Sequence, residues 1–290
     1  MTMTSPGLMP RLRGRLSGKT SLVLGGLIVV VITLAALIGP YFLTHDPFTQ
    51  NLAQRVIPPI WMEGSHPDHL LGTDQLGRDY LARLVKGAQI SLLIGVLTAM
   101  ISGALGITLG MVGGYFGGRI DAAVMFVITC RLSIPLILVA LTIVGLVGTS
   151  LTVVVLTLGL LLWERFAVVA RTTTMQICKR EFIDAARVCG ASLPHILLRE
   201  VLPNILPHLI VVMTLEIAIA ILLEAALSFL GLGVPPPMPS WGLMIAEARD
   251  YMFFSPWIIM IPGVALFVLV FGINLTGDGL RDLLTGGRKR

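Results

Sequence analysis

Six long apolar stretches constrain this chain more than any other feature of its sequence. A helix needs about 20 apolar residues to cross the hydrocarbon core of a bilayer. Backbone polar groups find no water there, so segments of this kind cross it as helices. The sequence therefore predicts an all-α membrane protein with six transmembrane helices, which cover residues 22–43, 88–112, 122–146, 151–170, 205–230 and 256–275.

The composition supports a membrane protein. The chain is 55% hydrophobic and only 13% charged, whereas ordinary soluble domains carry roughly 25% charged residues. A soluble fold with this composition would have more apolar surface than one core can bury.

The first apolar stretch is longer than the core of a cleavable signal peptide, which is about 7–15 residues. It is therefore interpreted as a retained span. Three cysteines without a CxxC spacing argue against a disulfide framework.

The distribution of Lys and Arg predicts that both termini are cytoplasmic, because basic residues accumulate in cytoplasmic connections. In that orientation the inner segments carry 14 of the 21 basic residues, and the outer segments carry five. Residues 1–21 and 283–290 are then basic cytoplasmic tails. The net charge of +5 is interpreted as a topology signal, so no nucleic-acid partner is predicted. The first outer loop weakens the asymmetry, because it alone holds Arg55, Arg78, Arg83 and Lys86.

The first outer loop and the second span each predict local structure. Residues 44–87 form a long periplasmic loop, which ends in an amphipathic run with Tyr80 and Leu84 on one side and Arg83 elsewhere. That run predicts an interfacial helix leading into the second span.

In the second span, Gly106, Gly110 and Gly114 repeat at small-xxx-small spacing, which lets helix backbones approach closely. The second span is therefore predicted to be a packing helix.

Two patterns that suggest chemistry do not reach the strength of a prediction. Residues 14–20 approach a phosphate-binding loop, but the glycine spacing is wrong and no strand precedes them. His66 and His69 form an HxxH pair in the outer loop, which could hold a divalent ion. Such a pair is weak evidence alone, so no metal site is predicted. No catalytic constellation is evident, so the chain is predicted not to be an enzyme and to hold no cofactor.

The loop after the fourth span has a distinctive pattern. Residues 181–189 look helical, with Phe182, Ala185, Ala186 and Cys189 on one face. Gly190 permits a sharp exit from that helix, and Ser192 is predicted to cap the next one. Downstream, Pro203 and Pro207 are expected to break or kink the backbone. From the residues alone, the helix is equally well an ordinary interfacial helix or a docking helix for a partner protein.

A family resemblance separates these two alternatives. Asp184-Ala185-Ala186, Gly190 and Val201-Leu202-Pro203 resemble the "EAA" signature of ABC importer permeases, with Asp184 in place of the usual Glu. Further motifs resemble the dipeptide, oligopeptide and nickel branch of that family, and in particular its second permease subunit. These motifs lie at residues 71–79, 133–135, 224–233, 241–242 and 277–282. The resemblance covers almost the whole chain and implies a type I ABC importer permease fold, with residues 88–282 as the five-helix permease domain.

The resemblance also implies partners and roles. Residues 181–190 would be a coupling helix that lies in a groove of a cytoplasmic ATPase. The implied partners are two such ATPases, which would hold ATP and Mg²⁺, a homologous permease subunit, and a periplasmic or lipid-anchored substrate-binding protein. The location would be the bacterial inner membrane, and the cargo short peptides, with nickel or metal chelates as the alternative. The implied coupling residues are Glu181, Phe182, Asp184, Ala185, Ala186, Arg187, Gly190, Leu202 and Pro203.

Ionisable residues within spans are costly and therefore candidates for function. Arg131, Glu216 and Glu224 are the candidates for a translocation path. The alternative, slightly favoured for the two carboxylates, is that each bonds to a neighbouring helix. The branch often has Asp six residues before Pro135, where this chain has Thr129, so no role is assigned to a carboxylate there.

Two rival functions come from other classes of protein. An ion-coupled secondary transporter would show paired broken helices and inverted repeats, and neither is evident in the sequence. An enzyme acting within the membrane would need clustered catalytic residues, which are also not evident. The ATP-driven importer is therefore the predicted function.

Overall fold

The computed structural model describes residues 9–286, and every regular segment within that range is a helix. The parts of the predicted tails at residues 1–8 and 287–290 lie outside the described residues. A π-helical segment, Ile196–Val201, joins α8 to α9. The helices are α1 (Met9–Ile38), α2 (Tyr80–Phe116), α3 (Gly118–Leu132), α4 (Leu136–Val147), α5 (Leu151–Leu161), α6 (Glu164–Ile177), α7 (Glu181–Val188), α8 (Leu193–His195), α9 (Leu202–Phe229), α10 (Trp241–Ala248) and α11 (Trp257–Gly286).

The apolar stretches form spans where the sequence predicts them. Within the described residues, five helical segments are long and apolar enough to cross a membrane, and the bent pair α3 and α4 makes a sixth if it is counted as one span. The predicted six-span, all-α architecture is therefore confirmed. The five segments other than this bent pair are Lys19–Tyr41, Tyr80–Phe116, Leu151–Ile177, Leu193–Phe229 and Trp257–Leu284. The third of them joins α5 and α6 across Leu162 and Trp163.

The third predicted span, residues 122–146, is not one continuous helix. α3 ends at Leu132, α4 begins at Leu136, and the two are bent by 80°. Pro135 explains the break, because its ring disfavours helical geometry at the preceding residue and it has no N–H to donate. The prediction of an unbroken third span was wrong. A broken span therefore exists here, so the expected lack of broken helices no longer argues against an ion-coupled transporter.

The three glycines of α2 pack against the backbone of α6, as the sequence predicts. A Cβ added at Gly106 or Gly110 would collide with the carbonyl oxygens of Trp163 and Ala167, and one at Gly114 would lie 2.6 Å from that of Arg171. A side chain at any of these positions would therefore force the two helices apart. Helices in a bilayer gain little by leaving the lipid, because lipid tails are equally apolar. Close contact of this kind supplies the van der Waals energy that holds the two helices together.

α1 lies against α11 and fixes which ends of the bundle are together. A Cβ at Gly25 would meet the backbone of Thr276 at 2.5 Å, and one at Gly279 would meet that of Leu22 at 2.5 Å. The first turns of the α1 span therefore lie beside the last turns of α11. At its other end, α1 leads to Gly39, which lies against Val85 near the start of α2.

The run that begins at Tyr80 is not a separate interfacial helix. It forms the first turns of α2, which continues without a break to Phe116. Tyr80 is buried, its hydroxyl donates to the carbonyl of Ile258, and its ring makes an edge contact with Trp257. The amphipathic pattern instead reflects packing against α11, so the predicted interfacial helix was wrong.

A buried ion cluster joins the outer loop to α2 and α10. Asp74 Oδ2 lies 2.6 Å from Arg78 Nε and 3.0 Å from Arg83 Nη1, and Glu247 Oε2 lies 2.7 Å from Arg83 Nη2. Arg83 is only 1% exposed. Burial raises the pKa of the Glu247 carboxyl, and the Arg78 guanidinium opposes this rise. Two acids and two bases therefore leave the cluster neutral, which reduces the cost of burying it.

Gly110→Ala should destabilise the protein by about 1–3 kcal/mol, because the new methyl group overpacks the contact between α2 and α6. Gly26→Ala is the matched control, since nothing lies within 4 Å of a Cβ at that position, and helix propensity favours Ala by about 1 kcal/mol. Thermal unfolding of the purified chain in detergent, followed by tryptophan fluorescence, measures both. Equal midpoints for the two variants would contradict the packing account.

Arg83→Met should cost about 3–5 kcal/mol, because it leaves an unbalanced negative charge buried beside Asp74 and Glu247. The double variant Arg83→Met/Glu247→Gln restores neutrality and should recover part of the loss. Asp68→Asn is the surface control, because its carboxylate is exposed beside His66 and such pairs contribute about 0–1 kcal/mol. Unfolding midpoints and protease cleavage of the 44–79 loop report the effect. If Arg83→Met destabilised the protein no more than Asp68→Asn does, the account of the buried ion cluster would be contradicted.

Candidate functional site

α7 lies at the opposite end of α2 from the outer loop. The Arg187 guanidinium of α7 lies 5.2 Å from the centre of the Tyr115 ring, and Tyr115 is in the last turn of α2. The 37 residues of α2 extend over roughly 55 Å at 1.5 Å per residue. α7 and the outer loop are therefore separated by the length of a helix that spans a bilayer.

One side of α7 is anchored in the helix bundle. Ile183 has no exposed surface and belongs to a buried cluster that includes Phe166 of α6 and Ile205 of α9. Ala186 packs against the same cluster. The inward face of α7 is therefore Ile183 and Ala186, and it contacts the spans directly.

The other side of α7 is an exposed apolar strip. Val188 is 89% exposed and Phe182 is 40% exposed. Ala185 and Cys189 are also exposed, and around the helix axis they lie between Phe182 and Val188. These four residues recur at helical spacing, so they form one continuous strip. We call Phe182, Ala185, Val188 and Cys189 the α7 strip.

Gly190 ends α7, as the sequence predicts. Its φ is +79°, a left-handed conformation that glycine adopts at little cost. The N–H of Ala191 donates to the carbonyl of Ala186 at 3.0 Å, which closes a Schellman-type turn. Ser192 begins α8, but its side chain makes no capping hydrogen bond. The predicted Ser192 side-chain cap was therefore wrong.

The prolines that follow do not break the next helix. The helical stretch Leu193–Phe229 is continuous, with Pro203 in the first turn of α9 and Pro207 inside it. Between α8 and α9 the backbone is π-helical, and the N–H of Leu202 donates to Leu197, five residues back. This wider turn directly precedes Pro203, and a proline is tolerated in a first turn. The predicted break was therefore wrong, and the alternative of a kink at these prolines stays a prediction.

The structure separates the implied coupling residues into two groups. Ala186 and Leu202 are half-buried against the cluster around Ile183. The others are exposed, namely Glu181, Phe182, Asp184, Ala185, Arg187, Gly190 and Pro203. Sequence reasoning missed Val188 on the exposed strip and Ile183 on the anchored face. α7 is apolar on two sides, so periodicity alone could not decide which side faces the bundle.

The three candidate path residues have different partners and do not form one cluster. Arg131 Nη1 donates to the carbonyl of Ile134 at 3.3 Å, and its other Nη donates to that of Leu161 at the end of α5. It therefore braces the break between α3 and α4 against α5. This contact supports a structural role for the guanidinium.

The two carboxylates of α9 also differ. Glu224 Oε1 accepts hydrogen bonds of 2.7 Å from both Ser228 and Ser240, so it links α9 to the start of α10. Glu216 Oε1 lies 3.5 Å from Arg165 Nη1, yet neither of its oxygens accepts a hydrogen bond within the described residues. Arg131 Nε and Glu224 Oε2 also lack a hydrogen-bond partner there, but Glu216 is the one of the three whose side chain makes no hydrogen bond at all within the described residues.

Comparison with known protein families gives two matches. Residues 106–289 match the model described as "Binding-protein-dependent transport system inner membrane component". Residues 12–59 match the model of the N-terminal transmembrane domain of oligopeptide transport permease C. The first match covers more than half of the chain and includes α7.

Similar proteins agree with these matches. The chain is 37% identical to the dipeptide transport system permease protein DppC of Haemophilus influenzae, over 90% of this chain and 89% of that protein. It is 40% identical to the di/tripeptide transport system permease protein DppC of Pseudomonas aeruginosa, over 90% of this chain and 86% of that protein. The inward-facing MetNI methionine ABC transporter shares the fold, with a TM-score of 0.57, 19% identity, and coverage of 71% of this chain and 97% of that one.

The resemblance that the motifs showed is thus confirmed by matches over almost the whole chain. These matches include α7, the turn at Gly190 that follows it, and the spans that anchor α7. The chain belongs to the family of binding-protein-dependent transport system inner membrane components.

Proposed function

We propose that this chain carries short peptides across the bacterial inner membrane as the second permease subunit of an ATP-driven importer, and that α7 docks onto a cytoplasmic ATPase. The observation that carries this proposal is the α7 strip, an exposed apolar surface on a helix whose other face is anchored among the spans. Contiguous exposed apolar surface at a polar end of a protein is typical of an interaction site.

The charges around the strip favour a protein partner over the lipid surface. Glu181 and Asp184 lie exposed on the same helix, and Arg187 Nη1 pairs with Asp184 Oδ1 at 3.2 Å. Helices that lie on membranes are usually rich in Lys and Arg on their polar face. α7 itself carries two acids and one base, so it lacks the basic face that anionic lipid would attract, although Lys179 and Arg180 directly precede it. α7 is therefore better suited to a groove in a protein.

The anchored face explains how docking would affect the spans. The cluster around Ile183 contains Met111 of α2, Phe166 and Ala170 of α6, and Ile205 of α9. A push on α7 from an ATPase would therefore reach three spans through direct packing. Closure of the ATPases on ATP would tilt these spans and alternate the access of the path between the two sides.

The same arrangement supports an orientation of the bundle in the membrane. The start of the α1 span and the end of α11 lie together, at the end of the bundle opposite Tyr80. α7 is at that end too, because it contacts the last turn of α2. Basic residues in the sequence concentrate there, so we assign that end to the cytoplasm. Arg78 and Arg83, two of the four basic residues in the outer loop, are held in the buried ion cluster.

The remaining partners are part of the proposal. ATP and Mg²⁺ would be held by two ATPase subunits, and a homologous permease would supply the other half of the path. A periplasmic or lipid-anchored binding protein would deliver substrate to the outer loop. Peptide cargo is inferred from the relatives, which are named as dipeptide and di/tripeptide permeases. Glu216 is the path residue that we retain, because a carboxylate with free lone pairs can accept hydrogen bonds from a peptide amine.

Val188→Asp should weaken ATPase docking strongly while leaving the fold intact, because it places a charge on the most exposed residue of the α7 strip. Losing an interface hot spot costs about 2 kcal/mol or more, which corresponds to roughly 30-fold in affinity. Gln176→Asp is the charge-matched control, since Gln176 is exposed on α6 outside the strip. Co-purification of the ATPase and peptide uptake in cells measure the effect. Normal co-purification with Val188→Asp would overturn the docking proposal.

Gly190→Val should impair coupling, whereas Gly190→Asn should largely preserve it. Nothing lies within 4 Å of a Cβ at Gly190, so the constraint is the positive φ and not space. A β-branched residue is strained there, whereas Asn tolerates the left-handed region. Stimulation of ATPase activity by substrate in the reconstituted importer provides the measurement. If the two variants behaved alike, the turn geometry would not be what positions α7.

A further inference from the structure

We propose that His45, His69 and Asp79 form a binding site for one divalent transition-metal ion of the Zn²⁺ type in the outer loop. These three residues offer ligand atoms that all lie within 4.8 Å of one another. Two imidazoles and one carboxylate are a donor set that suits Zn²⁺ and other late first-row ions, whereas Mg²⁺ and Ca²⁺ prefer oxygen donors alone.

The distances fit a shared ion after a small movement. Asp79 Oδ2 lies 2.8 Å from His69 Nδ1 and 3.9 Å from His45 Nδ1. Ligand atoms about 2.0–2.2 Å from a tetrahedral Zn²⁺ are roughly 3.3–3.6 Å apart. His69 and Asp79 are buried and fixed, whereas the side chain of His45 is 40% exposed. His45 is therefore the ligand that can close onto an ion held by the other two.

The two oxygens of Asp79 have separate roles. Oδ1 accepts a hydrogen bond of 2.7 Å from the N–H of Ala82 and caps α2. Oδ2 points instead to the two imidazoles. An ion could therefore bind Oδ2 without removing the cap, and the start of α2 would hold the carboxylate in place.

The surroundings are suited to a cation. The three residues border a cavity of about 420 Å³, which is also lined by Asp46, Asp68 and Gln54. No Lys or Arg lines this cavity among the residues that the structure describes. Its size leaves room for a water molecule as a fourth ligand, which is the usual pattern when a protein supplies three. A bound ion would connect the segment that follows α1 to the start of α2.

The sequence pointed to a different pair of histidines. The HxxH motif suggested His66 with His69, but His66 pairs with Asp68 at 3.5 Å and is not among the three ligands. His45 takes its place from a distant part of the loop. The site was therefore invisible to a search for closely spaced ligands, and this explains why no metal site was predicted.

The test is metal titration of the full-length chain, purified in detergent through an affinity tag that contains no histidine. Co²⁺ serves as the spectroscopic probe, and Zn²⁺ is titrated to displace it. We expect one equivalent of Co²⁺ with the d–d absorption of a four-coordinate site. His45→Ala and Asp79→Asn should each weaken binding by at least about tenfold, since even outer-shell changes cost about 10–100-fold. The asparagine retains an oxygen that can cap α2.

His66→Ala is the matched control, because it removes a neighbouring half-exposed imidazole outside the set, and binding should be unchanged. Zn²⁺ should also raise the unfolding temperature of the wild-type chain and of His66→Ala, but not that of His45→Ala. The proposal is overturned if the wild-type chain binds no stoichiometric Co²⁺. It is equally overturned if His45→Ala and His66→Ala weaken binding to the same extent.

Discussion

The close backbone contact between α2 and α6 is the interaction on which the rest of this structure depends. Lipid tails are as apolar as the helices, so the spans associate only where their surfaces pack closely. Gly106, Gly110 and Gly114 make that approach possible against the carbonyls of α6. α2 carries the buried ion cluster at one end and Tyr115 at the other, and α6 leads directly into α7. The contact therefore holds the outer loop and the α7 strip on one rigid pair of helices.

Local sequence signals predicted much of this fold. The spans followed from apolar length, the α2 contact from glycine spacing, and the end of α7 from Gly190. The break between α3 and α4 was missed, because the length of the apolar stretch outweighed the single signal of Pro135. Burial of Arg83 could not be foreseen, since its partner Glu247 is far away in sequence. The orientation of α7 was also undetermined, because its residues are apolar on two sides and only the position of Ile183 decides between them.

Family membership and structure answer different questions about function. The comparisons establish a permease of binding-protein-dependent transport, which excludes an ion-coupled carrier more firmly than any feature of the helices. By itself, the broken span formed by α3 and α4 would have favoured the ion-coupled carrier. The structure adds a way in which such a subunit could respond to an ATPase. α7 presents an apolar strip on one side and reaches α2, α6 and α9 on the other, so a partner docked on this short helix, as we propose, would be linked to three spans.

The central claim is that the α7 strip faces the cytoplasm and is covered by an ATPase. Cys189 lies exposed within the strip and provides a native probe once Cys130 and Cys178 are replaced by serine. The direct measurement is labelling of Cys189 by a membrane-impermeant maleimide in inside-out and right-side-out vesicles, with and without the ATPase. We expect labelling only in inside-out vesicles stripped of the ATPase, and protection when the ATPase is restored. Labelling from the outer side, or labelling that the ATPase leaves unchanged, would contradict the claim.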